Sequence, residues 1–109
     1  MVDNKKPKRA IAELEDLNFQ IRGALEAGRN TYWAIVKFES DDSFNKGTAW
    51  HLHVTFENNP DLSQDKFLTT VGLLSEDGPE HLLYKGSKFE LVCFDMKTII
   101  AKGVIVDLK

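Results

Sequence analysis

The chain has 109 residues, 42% of them apolar and 28% charged, with a formal net charge of −3. That length serves one compact domain with a real core and excludes a multidomain enzyme. A single cysteine, Cys93, excludes an internal disulfide and points to a reducing, cytoplasmic setting. No apolar run approaches the ~20 residues of a membrane-spanning helix, and no apolar segment follows the basic N-terminus as a signal peptide requires.

Charge is unevenly spread. Residues 1–9 hold Lys5, Lys6, Lys8 and Arg9 against Asp3, and read as a flexible, solvated basic leader. Residues 10–109 form a single domain with 10 basic and 16 acidic side chains, a net of −6. An acidic body argues for a basic partner and against a nucleic-acid-binding face on the folded domain.

From residue 10 to 28 the spacing of Ile11, Leu14, Leu17, Ile21 and Leu25 predicts a helix with one apolar stripe. Gly28 stops it, because glycine takes the left-handed conformation at a helix end. Gly23 weakens its interior, and Phe19 falls off the stripe, which makes it an exposed ring or a contact residue. Leu17, Phe19 and Ile21 also alternate, so a short strand competes there.

After Gly28 the period becomes two. Thr31 to Glu39 reads as a strand, with Tyr32, Ala34, Val36 and Phe38 on one face and Trp33, Ile35, Lys37 and Glu39 on the other. Both faces are partly apolar, as where a helix or second layer covers the outside. Thr48 to Glu57 alternates most cleanly, with Trp50, Leu52, Val54 and Phe56 opposite His51, His53, Thr55 and Glu57. Lys66 to Ser75 is a third strand, with Gly72 marking a bulge or bend. His81 to Tyr84 reads as a short pairing piece. Ser87 to Phe94 and Thr98 to Leu108 are the last strands, and Gly103 lets the final one bend as barrel corners require. The expected fold is mainly β: a small antiparallel six-stranded β-barrel over residues 31–109, preceded by one N-terminal helix.

The run LLYKGSKFELVCFDMKTIIAKGVIVDL resembles the closing hairpin of the third, C-terminal domain of elongation factor Tu. Gly86, Phe89, Leu91, Ile100, Ala101, Gly103, Val104 and Ile105 carry the resemblance. TYWAIVKFES is similar to that barrel's opening strand, TAWHLHVTF to the strand after its long loop, and FLTTVGLLS to the strand before the final crossing. The resemblance implies a six-stranded antiparallel barrel over residues 31–109. It does not extend to function. Asp95-Met96-Lys97 replaces a glycine-rich turn with an arginine, Asp41 and Asp42 are acidic where a tRNA-facing surface is basic, and no GxxxxGK[ST] phosphate loop occurs.

No catalytic, cofactor or metal motif emerges. His51 and His53 share a strand face but lack the further ligands zinc needs. Cys93 shares a face with Phe89 and Leu91, as a buried, inert thiol does. No spacing fixes a pair of carboxylates for acid–base work. The expectation is therefore a non-catalytic protein-binding domain, similar in build to immunity or antitoxin-type proteins that cover a basic toxin or enzyme. Its contact residues would be Asp41, Asp42, Asp61, Asp65, Glu76 and Asp77, with Phe44 as apolar anchor. The alternative is a translation-associated RNA-binding module that uses the leader for phosphate contacts. An unpaired barrel edge or Phe19 would allow self-association.

Overall fold

The computed structural model describes residues 8–41, 49–57, 60–74 and 78–109. Among them run six strands, β1 (Arg9–Glu15), β2 (Thr31–Phe38), β3 (Trp50–Phe56), β4 (Lys66–Leu73), β5 (Lys88–Val92) and β6 (Ile99–Leu108), and one α-helix, α1 (Phe19–Glu26). Every neighbouring pair is antiparallel, and the order β1-β4-β3-β2-β5-β6 closes on itself. The sequence-derived architecture, a six-stranded antiparallel barrel, is the one observed. Two of its elements differ.

The helix expected over 10–28 occupies only Phe19–Glu26, and residues 9–15 are a strand. Ala10, Ala12 and Leu14 are buried, while Arg9 and Glu15 are exposed. That alternation is a two-residue period hidden inside an apparent helical stripe. β1 pairs with β4 on one side and β6 on the other, so it is the strand that completes the circle. Leu14, Leu17, Ile21 and Leu25 reach the core as expected, but from a strand, a corner and a helix in turn. The corner is sharp. Asp16 takes a positive φ of 54°, and the Asn18 side-chain oxygen caps α1 by accepting from the amides of Gln20 (3.0 Å) and Ile21 (3.3 Å). Gly28 ends the helix at φ 90°, as its position predicts.

The second difference is at 81–84. Glu80–Leu82 forms a single 3-10 turn instead of a strand, and it carries Leu82 and Leu83 into the core. α1 contributes Ile21 and Leu25 to the same core. Gly72, expected to mark a bulge, sits in unbroken register opposite Arg9 and His53. The irregularities lie on β6, opposite Ile11/Ala12 and opposite Leu91/Val92. The second of these is structural. It leaves the Ile100 carbonyl to accept the Asn18 amide at 2.8 Å, which ties the start of α1 to the barrel wall. Closure gives each of the six strands a neighbour on both sides, although β5 pairs only with Ile35–Phe38 of β2.

Gly103 has a packing role rather than a bending one. Phe67, Leu14, Gly103, Phe89 and Phe38 are direct cross-strand neighbours on the inner face of five strands. A Cβ at Gly103 would lie 2.6 Å from Phe89 Cε2 and 2.7 Å from Leu14 Cδ2. The missing side chain is the space the Phe89 ring fills. Gly103→Ala is therefore expected to cost about 1–3 kcal/mol through overpacking. Gly23→Ala in α1 meets nothing within 4 Å and is expected to stabilise by roughly 0.5–1 kcal/mol. Urea midpoints of the two variants check this pair, and equal midpoints contradict the packing role.

Candidate binding surface

Inward positions are filled with side chains. Leu52, Val54, Leu91 and Ile105 are essentially fully buried along the barrel axis. Chemistry or recognition must then use the outside, which strand alternation supplies with every second residue.

Of the contact residues singled out by sequence, Asp42, Phe44, Glu76 and Asp77 lie outside the described residues. Asp61 and Asp65 share the β3–β4 connection. Asp61 accepts from the Ser63 hydroxyl (2.6 Å) and amide (3.0 Å), and these hydrogen bonds hold its carboxyl below the ordinary range. Asp41 follows β2, its amide donating to the Phe38 carbonyl at 3.2 Å. It borders a surface trough of about 680 Å³ whose lining also includes Lys66, next to Asp65. Four cross-strand steps separate the two ends: Lys66, Glu15, Lys102, Glu90 and Lys37 are successive neighbours on β4, β1, β6, β5 and β2. The row alternates in charge, and Lys66 pairs with Glu13 at 3.6 Å. Asp41 and the Asp61–Asp65 pair thus flank a mixed-charge trough instead of forming one acidic patch.

His51 and His53 leave the outer face of β3, as alternation predicts. His53 meets Trp33 edge-on with centroids 5.0 Å apart, and His51 lies 6.4 Å from the Phe94 ring. Among the described residues no three His, Cys, Asp or Glu side chains are grouped to hold a metal. The layer expected outside β2 is not found among them either. Trp33 is 57% exposed, while Ile35 is buried between its cross-strand neighbours His51 on β3 and Val92 on β5.

Sequence reasoning missed Phe94, the most exposed large apolar side chain described, at 84%. β5 ends at Val92, so Phe94 stands beyond the sheet. The signal was parity: Phe89 and Leu91 point inward, which sends Phe94 outward with Glu90. Cys93, expected buried, is half-buried beyond the strand end, and its thiol donates to Gln20 Oε1 at 2.7 Å. That contact ties the start of α1, where Phe19 is 80% exposed, to the residue that precedes Phe94. Phe19 was expected to be exposed, and it is.

The turn holding Phe94 is locked. Asp95 Oδ1 accepts from the amides of Lys97 and Thr98, each at 2.9 Å, and Oδ2 accepts from the Thr98 hydroxyl at 2.6 Å. Met96 completes the turn at φ 63°, a left-handed conformation that costs a non-glycine residue energy and persists only where the surroundings fix it. No protein-family model matches the chain, and no curated protein matches it.

The Thr98 hydroxyl and the Thr98 and Lys97 amides stabilise the ionised Asp95 carboxyl and lower its pKa to about 2. A depressed carboxyl contributes to folding above its unfolded value, near ~3.9, and loses that contribution as pH falls through the folded one. The Lys97 and Thr98 amide resonances should hold steady down to about pH 4 and then shift with a midpoint near 2. A carboxyl carbon titration at Asp95 centred near the ordinary ~3.9 contradicts the locked turn.

Proposed function

We propose that the protein is a non-catalytic binding domain that docks a protein partner at the end of the barrel that carries Phe94 and Phe19. The observation that carries this reading is their exposure, 84% and 80%, on a locked turn and at a capped helix start. Single exposed apolar residues are ordinary on a protein surface. Two exposed phenylalanines, each next in sequence to a partner of the Gln20–Cys93 hydrogen bond, are less so. Burying each ring under a partner stabilises a complex by roughly 1.5–3 kcal/mol, and a locked turn spares the entropy of ordering it on binding.

The partner proposed is basic, a toxin or enzyme of the kind that immunity proteins neutralise. Residues 10–109 carry a net of −6, and Asp41, Asp61 and Asp65 present carboxylates away from the phenylalanines. Charges placed off the contact centre act mainly on the rate of encounter. The phenylalanines would then set the lifetime of the complex and the carboxylates its formation. An antiparallel barrel of six strands also agrees with the resemblance to the third domain of elongation factor Tu, though shared architecture says little about role.

The test uses the immobilised protein to isolate its partner, followed by titration calorimetry and stopped-flow with the purified pair. Phe19→Ser with Phe94→Ser is expected to weaken binding by about two orders of magnitude, given the area each ring buries. Raising salt should slow association while leaving dissociation nearly unchanged. An acidic partner, or full affinity in the double variant, overturns the reading.

A further inference from the structure

The outer face of β2, β3, β4 and β1 has a different chemistry from the mixed-charge trough. One cross-strand row reads Trp33, His53, Gly72, Arg9. The row beside it reads Thr31, Thr55, Thr70. Neither row contains a carboxylate. Along the threonine row the first one is Asp107, on β6 beyond Ile11. The acidity of the chain as a whole therefore does not describe these two rows; the next outward residue of β1, Glu13, lies beyond Ile11.

Each position has a physical consequence. Trp33 is 57% exposed, and its edge-on contact with His53 leaves ring surface uncovered. Gly72 puts no side chain between His53 and Arg9, which opens a gap in the row. A Cβ there would sit 3.6 Å from the Lys8 carbonyl oxygen and 3.7 Å from Arg9 Cγ, so the arginine stem lies beside the gap. A second cation lies on this side. Lys109 Nζ reaches Thr70 Oγ1 at 3.4 Å and its amide donates to the Arg9 carbonyl at 3.1 Å, whereas Lys8 Nζ donates to the Glu80 carbonyl at 3.2 Å.

We propose that this face binds single-stranded RNA. Unpaired bases stack on exposed rings, here Trp33 and the adjoining imidazole. Phosphates are met by Arg9 and Lys109 at the far border. The threonine hydroxyls lie one row away, where they can exchange hydrogen bonds with 2′-hydroxyls, the groups that distinguish RNA from DNA. Three strand steps from Trp33 to Arg9 span about 14 Å, the scale on which a four-stranded sheet stacks two or three bases. A duplex hides its base faces and offers this surface only phosphates. An acidic peptide would use the cations and leave the rings and hydroxyls without a role. This inference goes beyond the protein-docking reading and uses other residues, so either can fail alone.

The test is fluorescence anisotropy of the full chain with a labelled ten-nucleotide oligouridine at low salt. Oligothymidine of the same length and an RNA hairpin stem serve as alternative probes. The oligouridine is expected to bind several-fold more tightly than either. Trp33→Ala should weaken it about tenfold and Trp33→Phe should recover most of that loss, as stacking requires. Arg9→Gln should lower affinity and reduce the salt slope by about one. Phe19→Ser with Phe94→Ser, which weakens protein docking in the reading above, should leave RNA affinity unchanged. Circular dichroism of each variant checks that the barrel is intact. Failure of the oligouridine to bind overturns the proposal. So does equal binding of the stem or oligothymidine, or a folded Trp33→Ala variant with unchanged affinity.

Discussion

Closure through β1 is the constraint on which the rest depends. β4 and β6 each have one partner elsewhere in the sheet, and β1 supplies the other. Without it, two strands would present unpaired backbone groups, a liability in any β protein. With β1 in place, the chain must turn abruptly at its end to bring α1 against the core. Asp16 at positive φ and the Asn18 cap make that turn, and the β6 irregularity supplies the carbonyl that receives it. Short α1, the position of Phe19 and the contact with Cys93 all follow from where β1 stops.

The second consequence of closure is that the interior cannot serve a ligand. A barrel of six strands is narrow, and its inward positions are occupied by leucine, valine, isoleucine and phenylalanine to the point that Gly103 must be side-chain-free to admit Phe89. Function is thereby displaced to outward residues. These divide into surfaces of different chemistry: an alternating-charge row over β4, β1, β6, β5 and β2, an aromatic end at Phe94 and Phe19, and the ring-and-threonine rows over β2, β3, β4 and β1.

Much of this was legible before any coordinates. Strict alternation in β3 fixed which of its residues face inward, because a two-residue period with one apolar side has a single compatible register. Gly28 and the exposed Phe19 could be read from helix grammar. The first strand could not. Ala10 and Ala12 are weak apolar markers, and Ile11, Leu14 and Leu17 fit a helical stripe by accident of spacing. Only pairing with two distant strands, which no local pattern encodes, decides the matter. Local pattern erred at Gly72 and Gly103 for a related reason. A glycine's role depends on what lies opposite, here Arg9 at one and Phe89 at the other. The binding surfaces were less legible still. Asp41, Asp61 and Asp65 drew attention through charge alone, whereas the Trp33–His53–Gly72–Arg9 row exists only across four strands distant in sequence.

The most direct test of this account is nuclear Overhauser spectroscopy of residues 9–15 in the full chain. Closure predicts interstrand Hα–Hα and amide contacts from this segment to both β4 and β6, including Leu14 to the Phe67 and Gly103 strands. Sequential amide–amide contacts running through residues 9–15 without those long-range partners, as in a helix, would contradict it.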